Sequence, residues 1–456
     1  MWVSFGDVIH KGKLFLKGSI FRSVFAFWVL LKFTEAFGLV TAPGLVYSPS
    51  KYLLFSFAIE ILALAFLTKL LPSEVKGPLD TLQIFSAIFL TIPLISITFT
   101  NTRFSLFTNY MALIFLIIYH LLLRLFEKLL KINSNIHPPA KTSETKVIIV
   151  MMLLSVFLVT YVVFFGQFRF DISAFNSVYQ RRAEFMESLN VSRNVLFGYA
   201  FGWLGGLIAP VIFLFGIYLK RYMVMTFSLM LGVFVYAGAA QKWVLASYFF
   251  LILIFYIHKK KPDTSLSLSL LLNAFNWLIV IALLLQTLFL KFRIIDLAIR
   301  RSLLDPAIMM QHYVQFTREY PLRFWSDLKI TQFFMNEDAA PASRIIGDRY
   351  FDIPGRFIFP QELNVNATSG AVADSLSQAG LLGLFVTTLL MFLFFLLLEI
   401  LSKNKSRVLV LCICALTVQM LIEGTLHTSM LTRGLILVPL ILYFLPNRDY
   451  FQRGST

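Results

Sequence analysis

Two unbroken apolar runs constrain any fold for this chain: VIIVMMLLSVFLVTYVVFF at 147–165 and LLGLFVTTLLMFLFFLLLEIL at 381–401. At ~1.5 Å per helical residue, each is long enough to cross a ~30 Å hydrocarbon core. A transmembrane barrel would instead need alternating stretches of ~10 residues. The remainder has the same character, since 58% of the 456 residues are hydrophobic, 49 are Phe, and mean hydropathy is +0.78. No soluble domain hides that much apolar surface. The sequence therefore predicts an all-α polytopic membrane protein. MWVSFGDVIHKGKLFLKGSIFRS is basic, but no short apolar region with a small-residue cleavage site follows it, so the first run reads as a retained helix.

Hydropathy predicts about twelve spans, near 19–39, 52–71, 81–99, 105–126, 147–166, 195–218, 222–239, 243–258, 267–290, 376–402, 408–423 and 433–447. The chain thus divides into N-terminal spans (1–166), a first outer loop (167–194), central spans (195–290), a large outer loop (291–375) and C-terminal spans (376–456). An even number of spans puts both termini on one face. The Lys-rich connections HKGKLFLKG, HKKKP and SKNKSR share that face, which the positive-inside rule makes cytoplasmic. The formal charge of +16 is then a topological signal, with no nucleic-acid partner implied.

The two long outer loops carry twelve Arg and two Lys against thirteen Asp plus Glu. Topology needs only positive charge, which Lys supplies equally well. Arg adds a planar fork that grips phosphate or carboxylate with two hydrogen bonds. The alternative is that these arginines pair with the loop acids on a folded surface. A loop as long as 291–375 is usually functional or disordered. Its Phe316, Tyr320, Trp325, Phe333, Phe334, Tyr350, Phe351 and Phe357 argue for a folded segment.

In IRRSLLDPAIMMQHYVQF, Asp305 and Pro306 predict a helix start and Pro321 a stop, which places Arg300 and Arg301 just before the helix. Met309, Tyr313, Phe316 and Tyr320 form one stripe, with Gln311, Gln315 and Arg318 on another. That pattern predicts an amphipathic helix at the membrane surface. Arg344, Arg349 and Arg356 follow in Gly- and Pro-punctuated chain. Small residues with Gly380 and Gly383 then suit close helix approach, and Ser369, Ser375 and Ser377 read as packing residues. Arg181, Arg182 and Arg193 lie in the first outer loop, and Lys242 at a tight outer turn. His312 and His427 are the outer histidines, each either a base near neutral pH or a residue satisfying a local hydrogen bond. Cys412 and Cys414 sit inside an apolar run as packing residues, and no nucleotide, metal or serine-hydrolase motif occurs.

Taken in order, QRRAEF, QKWVLA, RRSLLDPAIMMQHYVQF, EYP, ADSLSQAGLLG and TSMLTRGLIL resemble the Wzy-type O-antigen (oligosaccharide repeat-unit) polymerases over roughly residues 165–445. Related O-antigen ligases carry a His-containing motif before the tenth span, and NVNATSGAVADS has no His, which favours polymerase over ligase. The resemblance implies a GT-C-like glycosyltransferase of the bacterial inner membrane, with both termini cytoplasmic and its active site facing the periplasm. It would move a growing glycan from an undecaprenyl-pyrophosphate donor onto an undecaprenyl-pyrophosphate-linked acceptor unit. No cofactor and no metal are implied, and a chain-length regulator is a further expected partner beside the bilayer.

Negative charge develops on the departing pyrophosphate oxygen, and fixed cations stabilise it. On this reading Arg181, Arg182, Lys242 and Arg301 bind the pyrophosphate, with Arg344 and Arg433 as further candidates. Tyr313 and His312 line the site, and Glu184, Asp374 and His312 are the candidate bases. Two other readings are a ligase acting on lipid A core and a lipid-linked oligosaccharide flippase. A flippase would concentrate charge within its spans, where Lys32, Glu35 and Glu60 are the main examples.

Overall fold

The computed structural model describes residues 18–36, 53–101, 103–130, 144–165, 195–239, 242–259, 266–288, 296–326, 342–350 and 370–445. Its elements are helical apart from one two-residue antiparallel ribbon pairing Glu74 with Ser267 and Val75 with Leu266. Among the described residues, five helices are long and apolar enough to cross a membrane: Pro78–Ile97, Leu106–Leu129, Tyr199–Tyr218, Leu268–Gln286 and Ala371–Leu401. Shorter apolar helices cover Val147–Val163, Tyr222–Ala237, Ala246–Ile257 and Leu435–Phe444. The chain is an all-α membrane protein.

The centre of the bundle is formed by Pro78–Ile97, 94% buried, packed against Arg407–Glu423, whose residues from Val408 to Ile422 are all buried. Sequence alone did not single out these two, because lipid and protein interior are equally apolar surroundings for Leu or Ile. The first carries a row of polar side chains that can be buried only where partners meet them. Gln83 donates to Glu127 over 3.3 Å, Ser86 pairs with Tyr119 at 3.1 Å, and Thr91 meets His120 Nε2 at 2.9 Å, all linking it to Leu106–Leu129. Lys32 and Glu60 likewise form an ion pair of 2.9 Å between Ser19–Ala36 and Leu53–Leu70. On the rim, Val150, Leu153 and Phe157 of Glu144–Phe165 are more than half exposed, as lipid-facing residues should be.

Among the described residues, three π-helical turns lead into α-helix, at Ala87–Thr91, Leu204–Ile208 and Asp296–Leu304. Each ends two residues before a proline: Pro93, Pro210 and Pro306. A proline ring collides with the carbonyl four residues earlier, here Phe89, Gly206 and Ser302, each inside its π turn. The widened turn relieves that collision and lets the helix continue. Ile92 and Ala209 accordingly donate five residues back, to Ala87 and Leu204.

This corrects the expected helix start at Asp305. Leu304, which precedes it, is helical at φ −84° and ψ −41°, and no side chain caps the helix. Arg300 and Arg301 therefore lie within a continuous helical segment, in its π turn.

Hydrogen bonds sort the connections into two ends. At the ribbon end, Leu268 N–H donates to Ser73, Arg124 Nε donates to the Leu70 carbonyl over 2.6 Å, and Leu79 N–H reaches Glu399 over 3.4 Å. Lys405 Nζ also joins the Tyr443 and Leu445 carbonyls. At the opposite end, ~36 Å away along a 24-residue helix, Asn101 and Thr108 bond Asp305–Glu319, and the chain that follows it bonds the start of Ala371–Leu401.

Candidate functional site

At the end opposite the ribbon, Asp305–Glu319 is the organising element. Residues Pro306 to Val314 and Phe316 are buried, so it is an inserted helix, which corrects the expected amphipathic surface helix. The side-chain oxygens of its polar stripe bond protein in place of water, while the buried Gln311 Nε2 has no hydrogen-bond partner among the described residues. Asn101 Nδ2 donates to Gln311 Oε1 over 2.9 Å, and Thr108 Oγ1 donates to Gln315 Oε1 over 2.7 Å. Arg318 Nη1 donates to Thr108 Oγ1 over 2.9 Å, with its guanidinium 4.9 Å from the Phe107 ring centroid. Asn109 Nδ2 donates to the Asn101 carbonyl over 3.1 Å and holds that connection in shape.

His312 and Tyr313 are fully buried on this helix. The His312 ring packs edge-on against Phe104, with centroids 4.7 Å apart. Burial first, and then the Arg103 charge, pull its pKa from 6.5 down to about 3. Such an imidazole is neutral and weakly basic at physiological pH, so it orients groups and fills space better than it takes protons.

Ala371–Leu401 is broken near its start. Ala379 has φ −148° and Gly380 has φ +58° with ψ −132°, a conformation that L side chains rarely adopt. Residues 371–378 are buried and the helix then turns sharply, with Leu381 and Leu382 exposed on the far side. A side chain at Gly383 would collide with the Ser375 carbonyl. The two glycines therefore make a turn within one element, where the sequence suggested contact between neighbouring helices.

The carbonyls freed at the break are capped by the chain after Pro321. Arg323 N–H donates to Ser377 over 3.2 Å, Phe324 N–H to Gln378 over 2.7 Å, and Trp325 N–H to Gln378 Oε1 over 2.7 Å. Phe324 and Trp325 adopt φ of 47° and 58° to reach them. Ser375 and Ser377 bond back to Val372 and Asp374 carbonyls, in keeping with a packing role. Asp374, 6% exposed, lies in the first turn of this buried segment.

Arg433 occupies a distinct niche. Its Nη1 donates to the Met420 carbonyl and its Nη2 to the Glu423 carbonyl, each over 3.2 Å, and Nη1 lies 3.6 Å from the Glu423 carboxylate. It thus closes the C-terminus of Arg407–Glu423, where Gly370 also packs against the Ile422 carbonyl. The segment carrying Arg433 presses so closely on Val195–Trp203 that a side chain at Gly202 would strike the Thr432 carbonyl. His427 shares a hydrogen bond of 3.2 Å with Thr425, the local role expected of a lone histidine.

The packing brings together Arg300 and Arg301 in the π turn, the helix Ala342–Tyr350 that carries Arg344, and the Asp374 segment, all against Asp305–Glu319. Lys242 opens Lys242–Lys259, which packs on Ala209–Tyr218 and Arg407–Glu423, a different neighbourhood. Arg181, Arg182 and Glu184 lie outside the described residues. The sequence reading missed Arg103, Asn101 and Asn109. Their signal was an arginine in the short connection TNTRFS on the same face as the long loops, whose cations alone were weighed.

No family model, curated protein or solved structure matches the chain.

Proposed function

We propose that the chain is a metal-independent glycosyltransferase of the bacterial inner membrane that polymerises undecaprenyl-pyrophosphate-linked oligosaccharide units at the periplasmic face. The full reading has about twelve spans, a GT-C-like fold and cytoplasmic termini. The observation that supports it most is the convergence of the Arg300–Arg301 turn, the Arg344 helix and the buried Asp374 segment on Asp305–Glu319. Arginines carried on helices that pack against one element bring positive charge to where it is needed as charge builds on a leaving pyrophosphate oxygen, the form of electrostatic stabilisation such a transfer requires.

In this reaction the acceptor hydroxyl attacks the donor's anomeric carbon, the bond from that carbon to pyrophosphate breaks, and undecaprenyl pyrophosphate leaves. Arg301 and Arg344, with Arg181 and Arg182, hold the pyrophosphate. Asp374 or Glu184 takes the hydroxyl proton. His312, neutral and enclosed, supports the wall of the site with Tyr313. Arg433 serves the site by holding the end of Arg407–Glu423 in place.

The test is polymer length on gels from cells carrying Arg301→Ala or Arg301→Lys. Short or absent polymer is expected from both, and full-length polymer from both overturns the role. Cells without the protein should still cap their lipid A core with a single repeat unit. A core without any unit would instead identify a ligase.

A further inference from the structure

At the end opposite the ribbon, Arg407–Glu423 finishes in a carboxylate whose two oxygens are held differently. The Glu423 side chain is 21% exposed, and Thr425, Thr428 and Thr432, next along the chain, are half-buried as well. Gln419 Nε2, one turn earlier, donates to Glu423 Oε1 over 2.9 Å. Oε2 faces Arg433 Nη1 at 3.6 Å, because both Nη atoms of Arg433 are already donating to the Met420 and Glu423 carbonyls. Among the described residues Oε2 accepts no hydrogen bond. Gln419 is fully enclosed, and its own Oε1 has no partner among the described residues. A carboxylate accepts only donors, so the amide nitrogen must face Glu423 and the oxygen is the atom left over. Burying an acceptor without a donor is costly, and an apolar side chain would fill the same space without that cost. The glutamine has a reason if it holds one oxygen of Glu423 so that the other is aimed.

We propose that Glu423 Oε2 accepts a hydrogen bond from a sugar hydroxyl of the lipid-linked substrate, with Gln419 as its positioning residue; this rests on the glycosyl-transfer reading above. The surroundings select the ligand. A metal ion or an ammonium group would be repelled by Arg433, 3.6 Å from Oε2, and a phosphate by the carboxylate itself. A neutral hydroxyl adds no charge, and its bond to a carboxylate is stronger than one between neutral groups. The place suits a sugar as well. Gly370, four residues before Asp374, packs against the Ile422 carbonyl, so Glu423 adjoins the start of the segment that carries a candidate base. A carboxylate that served only to balance Arg433 would need no buried glutamine behind it.

The experiment measures binding of two probes to the full chain in detergent: undecaprenyl pyrophosphate alone, and undecaprenyl-pyrophosphate-linked repeat units extracted from cells lacking the protein. The parent should bind the repeat unit more tightly than the bare lipid. Glu423→Gln, nearly the same in size and shape, should weaken repeat-unit binding about tenfold, the worth of a hydrogen bond to a charged group, and leave the bare lipid unaffected. Gln419→Leu should act in the same direction, again on the repeat unit alone. If the glutamine variant does not fold, Glu423→Asp, which keeps the charge but withdraws the carboxylate by one methylene, carries the same expectation. Repeat-unit affinity in the Glu423 variant equal to the parent's overturns the proposal. Equal weakening toward both probes also overturns it, because a purely structural role has that effect. Equal binding of the two probes by the parent overturns it while the pyrophosphate reading stands, and a parent that binds neither probe removes that reading and the proposal together.

Discussion

Asn101 Nδ2 donates to Gln311 Oε1 over 2.9 Å, joining two residues 210 positions apart in the chain, both fully enclosed. This bond locks the connection between two central spans onto the helix that organises the candidate site.

Asn101→Ala should leave Gln311 Oε1 buried without its donor, at a cost of about 1–3 kcal/mol. Thermal unfolding in detergent should show a lowered midpoint. Adding Gln311→Leu should restore part of it, because the stranded acceptor is then removed as well. A double variant whose loss equals the sum of both single losses would rule out this coupling.

Arg433→Ala should destabilise by about 1.5–3 kcal/mol, since a charged donor to two carbonyls is lost at once. Lysine, lacking the fork, should recover little of it. Unchanged thermal stability together with abolished polymer would show instead that Arg433 contacts substrate.

Gly380→Ala forces a Cβ into a backbone conformation at φ +58° and ψ −132°, at about 1–3 kcal/mol. Protease susceptibility near the 321–326 cap should rise, because the break and its cap depend on each other. Protection equal to the parent's would mean that the turn does not need glycine.

For His312 the sign follows from a folded pKa of about 3 against an ordinary 6.5. Below pH 6.5 the unfolded chain takes up a proton that the folded chain refuses. Stability is therefore full above pH 6.5 and is lost progressively as pH falls toward 3. A His312→Gln variant, compared by unfolding between pH 7 and 5, should have a flatter dependence than the parent. Identical slopes would place the titration elsewhere.

The helical membrane class was legible in runs such as 147–165 and 381–401, since only a helix satisfies its own backbone while crossing hydrocarbon. The polar stripe of Gln311, Gln315 and Arg318 was visible as a stripe. Its meaning was not. A polar face reads the same whether it meets water or Asn101, Thr108 and Phe107, because the partners lie some two hundred residues away.

What the sequence determined by itself is what short-range chemistry decides: apolar runs, charge placement, and prolines that no regular α-turn accommodates. Tertiary structure decided which helices occupy the centre, that Pro306 continues a helix through a π turn, that Gly380 breaks one, and that Arg433 closes Arg407–Glu423. Each of these depends on a carbonyl or side chain brought in by another element or another turn. Hydropathy carries no record of such partners, because protein interior and lipid present an apolar residue with the same environment.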